Sequence, residues 1–253
     1  MALNQKKSEL GVSASISKKK GDKMKKTVCW KFFFWGIFLL GVLCRIQNAY
    51  FHFTHYDDIG VAVSYFYYGN LGFIEKAGWT YAPLQLIFTT LLLSPEYSYN
   101  MNIFLGRFPS LICGVGSIYA TYHLSRKVTQ GNRNSEWISL FSMALMAFSW
   151  QNIIYSAQME PYEIGVLFVT VIMLIFYWQF DESKKRNFLI LSIVLGILCY
   201  GQYQLFIFVF SFYITCFIEK LMSKDYKAFT KYLVSSIGSF LITIPILAGM
   251  VSR

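Results

Sequence analysis

Apolar residues fall in runs at 30–50, 103–124, 136–154, 162–180, 187–201, 203–218 and 231–250, separated by short polar turns. A helix needs about 20 apolar residues to cross a bilayer, so the pattern predicts a bundle of membrane-spanning helices. The stretch 187–218 is too long for one crossing, and the polar GQYQ at 201–204 divides it into a tight hairpin. A further run, APLQLIFTTLLL at 82–93, has only 12 residues and suits a helix lying along the membrane surface.

Charge turns this pattern into a topology. With the N-terminal tail inside and seven crossings, 19 of the 23 Lys and Arg residues fall in the tail or in inner loops. Counting 82–93 as an eighth crossing would put Arg126 and Arg133 outside, against the rule that basic residues stay on the cytoplasmic side. The fold expected is an all-α membrane protein. It is a seven-span helical bundle with two interfacial helices in its first outer loop, the N-terminus cytoplasmic. Residues 1–29, polar and Lys-rich, read as a basic cytoplasmic tail, and 30–253 as the transmembrane module. MKKTVCWKFFFWG from Met24 would serve as an alternative start. The apolar run after it is too long for a signal-peptide core and is expected to be kept as an anchor.

Composition agrees. Hydrophobic residues make up 55% of the chain and charged residues 14%, against about 25% charged in a soluble domain. The net charge of +10 therefore reflects inner loops, and nucleic acid is not an expected partner. Five cysteines (Cys29, Cys44, Cys113, Cys199 and Cys216) lie in or beside apolar runs without metal-ligand spacing and read as packing residues.

The outer face gathers what chemistry the chain has. Asp57 and Asp58 sit side by side in HYDDIGVAVSY, in the loop after the first span. Two carboxylates there suit a general base or a cation site, or a helix N-cap with a solvated neighbour. SWQNIIYSAQMEPYEIG, 149–165, crowds Gln151, Asn152, Tyr155, Gln158, Glu160, Tyr162 and Glu163 into one outer turn. That density suits a polar binding site or an interfacial tyrosine belt with helix caps. Arg107, near the outer end of the second span, either snorkels or holds a phosphate. Arg45, near the outer end of the first, is expected to snorkel.

Read in order, the acid pair Asp57-Asp58, YAPLQLIFTTLLL, GRFPSLICGVGSIYATYHLSRKV, YSAQMEPYEIGVLF and LGILCYGQYQLFIF form a series. This series resembles the GT-C membrane glycosyltransferases that use polyprenyl-phosphate sugars. Among them are the protein O-mannosyltransferases and the lipid A aminoarabinose transferases. Asp58 stands where that family has Glu, and Glu160 where many relatives carry Arg. The relatives continue beyond the seventh span, so the resemblance implies the N-terminal conserved module of a longer enzyme.

What it implies is an enzyme of the cell membrane with its site on the non-cytoplasmic side. It would move a sugar from a polyprenyl-phosphate donor to a glycan, lipid or protein acceptor. Asp57 and Asp58 would be catalytic; Arg107, Tyr155, Gln158, Glu160 and Tyr162 would bind substrate. A divalent cation, should one be used, would fall to Asp58, Glu160 and Glu163, since hard cations take oxygen ligands. The alternative class is a transporter or flippase for a lipid-linked or small solute, and a third is a non-enzymatic membrane subunit. Transporters tend to show inverted repeats and helices broken at the midplane. The sequence shows neither, and its polar residues cluster at the outer face.

Overall fold

A computed structural model of the chain describes residues 30–51, 87, 91–159, 162–202 and 204–251. The described residues are helical, without strands. In chain order the helices are α1 (Trp30–Phe51), α2 (Tyr99–Val128), α3 (Ser135–Phe148), α4 (Trp150–Tyr155), α5 (Tyr162–Gln179), α6 (Lys185–Gly201), α7 (Leu205–Met222) and α8 (Tyr226–Val251). Five of them, α1, α2, α5, α7 and α8, are long and apolar enough to cross a membrane. Helix α3 is apolar but has 14 residues, and α6 has 17. Most of the run at 82–93 lies outside the described residues.

Exposure is inverted relative to a water-soluble domain. Leu39, Ile112, Phe141, Ile207 and Leu241 are all more than half or nearly half exposed. Apolar patches of that extent mark a surface made for something other than water, here the hydrocarbon of a bilayer. With lipid outside, burial of apolar area adds little between helices, so close backbone approach and interhelical hydrogen bonds hold the bundle.

Two packed groups result, with α5 common to both. In the first, α2 packs against α5 and α3. Ile118, Tyr122, Leu140, Met143 and Ala147 form its core, lined by Trp30, Phe34, Ile37 and Phe38 of α1. In the second, α8 lies along α6. A Cβ on Gly196 would come within 2.8 Å of Ile242 Cβ and 3.1 Å of the Ser239 carbonyl, so only glycine lets α6 and α8 approach this closely. Hydroxyls bond across the same seam. Ser235 donates to the Phe188 carbonyl at 3.0 Å and Ser239 to that of Ser192 at 2.9 Å, while the Tyr213 hydroxyl of α7 meets both serines.

The Lys- and Arg-rich end of the bundle is tied by carboxylates. Glu182, in the α5–α6 turn, pairs with Lys220 at 2.7 Å and accepts from the Tyr232 hydroxyl at 3.0 Å. Its carbonyl accepts from Lys231 at 2.6 Å. Across the bundle Glu136 pairs with Arg126 at 2.8 Å and accepts from Tyr122 at 2.9 Å.

Two expectations change. The run 136–154 is not one helix. It breaks at Ser149, whose backbone is extended (φ −60°, ψ 116°), and resumes as α4. The hydroxyl of Ser149 caps α4 by accepting from the Asn152 amide. Arg45 does not snorkel. It is wholly buried, because the α3 break frees carbonyls that its guanidinium then satisfies. The hairpin at GQYQ stands where the pattern put it, between the end of α6 at Gly201 and the start of α7 at Leu205.

Candidate functional site

At the end of the bundle opposite the basic turns, α1, α2, α4 and α5 meet around the turn 156–159. Two glycines of α2 make room for it. The Met159 side chain occupies the space a Cβ on Gly106 would need, and Ser156 does the same at Gly114. Ala157 packs with Ala49 and Leu111, and Met159 with Ile103. Tyr155 and Tyr162 stack across the turn with ring centroids 4.6 Å apart, and Gln151 donates to the Tyr155 hydroxyl at 2.7 Å. Gln158 is buried at 6% exposure. The turn is therefore a built corner with its Ser156 and Met159 side chains pressed into α2, not a loose loop.

Arg107 enters the same corner from α2. It is 2% exposed and donates from Nη1 to the Ala49 carbonyl at 2.9 Å. That carbonyl belongs to the last turn of α1, where backbone acceptors lack helical partners and a cation is favoured. Asn102, also fully buried, anchors the entry to α2. Its Nδ2 donates to the carbonyls of Ser94 at 2.9 Å and Tyr97 at 3.2 Å, and its Oδ1 accepts from the Ser94 amide at 3.0 Å. Asn102 thus fixes residues 94–97 against the start of α2.

Arg45 holds the α3 break. Nη1 donates to the carbonyls of Ala147 at 2.8 Å and Gly41 at 3.3 Å, and Nη2 to that of Met146 at 2.9 Å. Glu163, in the first turn of α5, is wholly buried. Among the described residues neither of its oxygens has a hydrogen-bond partner, and neither does Arg45 Nε. Ser156 Oγ lies beside the carboxylate, but its single proton goes to the Asn152 carbonyl at 2.6 Å.

Of the residues singled out by sequence, the corner brings together Arg107, Tyr155, Gln158, Tyr162 and Glu163. Asp57, Asp58 and Glu160 lie outside the described residues. Among the described residues no three His, Cys, Asp or Glu side chains gather as metal ligands. Glu163 fits a metal poorly, since it is sealed from solvent with the Arg45 cation as its charged neighbour.

By sequence Arg45 has a different role, as a snorkelling side chain, and Asn102 and Ser156 are not singled out. The Ser-Trp-Gln-Asn interruption inside an apolar run and the glycines at 106 and 114 mark the place without showing what fills it.

No curated protein and no solved structure matches the chain. A family model does: that of the dolichyl-phosphate-mannose-protein mannosyltransferases matches residues 84–248, well over half of the 253-residue chain, and so takes in the parts of the corner that α2, α4, α5 and the turn 156–159 supply. The chain belongs to the dolichyl-phosphate-mannose-protein mannosyltransferase family.

Proposed function

We propose that the chain is the membrane module of a glycosyltransferase that takes its sugar from a polyprenyl-phosphate donor and works on the outer face of the membrane. The observation that carries this is the family match, which spans Arg107 and the Tyr155–Tyr162 turn. In this reading the chain crosses the membrane seven times. The third crossing is α3 with α4, and the fifth is α6. The charge asymmetry of the sequence puts the Glu136 and Glu182 ends inside and the corner outside.

The chemistry follows from the bond that must break. An acceptor hydroxyl attacks the anomeric carbon and loses its proton to Asp57 as general base. The bond between that carbon and the phosphate oxygen breaks, and polyprenyl phosphate departs with the electron pair. Arg107, already at this corner, answers the growing negative charge on phosphate. Inversion at the anomeric carbon results. Gln158, Tyr155 and Tyr162 would bind the sugar or acceptor through amide donors and aromatic faces. Asp58 and Glu160 would orient the acceptor.

The test is transfer of labelled sugar from defined polyprenyl-phosphate donors, by the protein in membranes, to glycan, lipid and peptide acceptors. Transfer from at least one donor, with release of polyprenyl phosphate, is expected. No transfer from any of them, with the protein correctly inserted, would overturn the reading.

A further inference from the structure

Arg45 and Glu163 are buried ionisable groups that the reaction above does not use. Arg45 is fully enclosed, and among the described residues its Nε–H has no acceptor; Glu163 is fully enclosed, and both its oxygens lack donors there. Arg45 Nε and Ser156 Oγ border one spot. A Cβ built on Gly114 would sit 3.1 Å from Arg45 Nε and directly against Ser156 Oγ. Arg45 and Ser156 are in turn the groups that act on the Glu163 carboxylate. A lone charge buried in a bilayer protein is costly, and a nearby opposite charge removes most of that cost.

Each member also sits at the helix end that suits its sign. Arg45 caps the C-terminal carbonyls of α3, and Glu163 lies in the first turn of α5. Between these two ends runs the corner itself, α4 and the turn 156–159. We propose that Arg45 and Glu163 act as opposite buried charges across this corner, with Ser156 beside them, and that their attraction fixes the α3–α4 break and so seats the turn 156–159 against α2. Both are positioning residues. What the turn is positioned for rests on the glycosyltransferase reading; the pair itself does not.

The test compares Arg45→Gln, Glu163→Gln and the double variant. Glutamine removes the charge at both sites; it matches glutamate in size, and at 45 it is shorter but still offers amide donors. One readout needs no activity. A cysteine placed at Gln158, in a background without the native cysteines, reports seating of the turn, since that position is 6% exposed. Each single variant leaves one charge unanswered. It should raise thiol labelling at 158 by about tenfold, or fail to accumulate in the membrane, while the neutral double returns to within about threefold of the parent. The second readout uses the native Gln158. Per folded molecule, kcat should fall by about tenfold in the singles with donor KM held within about threefold, and recover in the double.

Glu163→Gln indistinguishable from the parent in both readouts would overturn the proposal. So would a double variant no better than Arg45→Gln. If the parent transfers no sugar at all, the functional reading fails and labelling still decides the pair.

Discussion

Arg107 of α2 donates to the carbonyl of Ala49 at 2.9 Å, across the bundle and at the very end of α1. The bond pins the last turn of α1, which precedes Asp57 and Asp58 in the chain, to the helix that carries Arg107.

Arg107→Met should lower transfer by about 10²-fold or more, the usual scale for losing a donor aimed at developing charge. Arg107→Lys keeps the charge without the planar fork and should fall between the two. Steady-state kinetics on extracted, monodisperse protein checks the order. Met equal to the parent would remove Arg107 from the reaction.

Asp57→Asn removes the basic lone pair while keeping size and capping ability. Transfer should drop by about 10²–10⁴-fold with insertion and donor binding preserved. If Asp57 is only a helix cap, activity stays and the loss is about 1 kcal/mol of stability or less, since Asn caps as well as Asp. A smaller effect is expected for Asp58→Asn. Should Asp58→Asn instead abolish transfer, the base is Asp58.

Topology can be read with single cysteines. Gln151 and Asn134 are both exposed, at opposite ends of the third segment. A cysteine at 151 should react with an impermeant reagent from outside intact cells, and one at 134 only after permeabilisation. Labelling of 134 from outside would invert the bundle and put the corner in the cytoplasm.

Gly196→Ala puts a methyl 2.8 Å from Ile242 Cβ and 3.1 Å from a backbone carbonyl that cannot swing aside. Forced repacking of this kind costs about 1–3 kcal/mol, so the thermal midpoint in detergent should fall by several degrees. An unchanged midpoint would show that α6 and α8 slide apart freely.

Glu182→Gln leaves Lys220, whose side chain is 12% exposed, without its 2.7 Å partner. Glu182 is itself 37% exposed and Glu219 stays beside Lys220 at 3.1 Å, so the loss should be about 1 kcal/mol. Chemical denaturation of the extracted protein measures it. Arg126→Gln at the other basic turn should cost less, because that pair is half exposed.

Much of this architecture is legible in residue order. Period and length give the helices, and GQYQ gives the hairpin at 201–204 because four polar residues cannot lie inside hydrocarbon at no cost. The Tyr155–Tyr162 turn shows itself by its density of amides and aromatics. Arg45 is harder. Its position near a span end suits snorkelling, and nothing local reveals that carbonyls of residues 146 and 147 wait for it. Those acceptors exist only because a serine elsewhere in the chain ends α3. The same holds for Gly106 and Gly114, whose meaning depends on Met159 and Ser156 arriving from a different segment. Contacts between distant segments leave no period in the sequence.

The seam between α6 and α8 bears on how the chain is made. Ser235 reaches Phe188, and Ser239 reaches Ser192, over a separation of 47 residues, with α7 intervening. A translocon delivers segments in order, so in the seven-span reading α6 enters the bilayer with its glycine-and-serine flank uncovered and stays so until α8 emerges. During that interval the hairpin of α6 and α7 is a half-built intermediate whose free flank could be claimed by another small-residue helix. Synthesis that stalls inside α8 should therefore leave a species fit for quality-control capture, while a chain released a few turns later is closed to it.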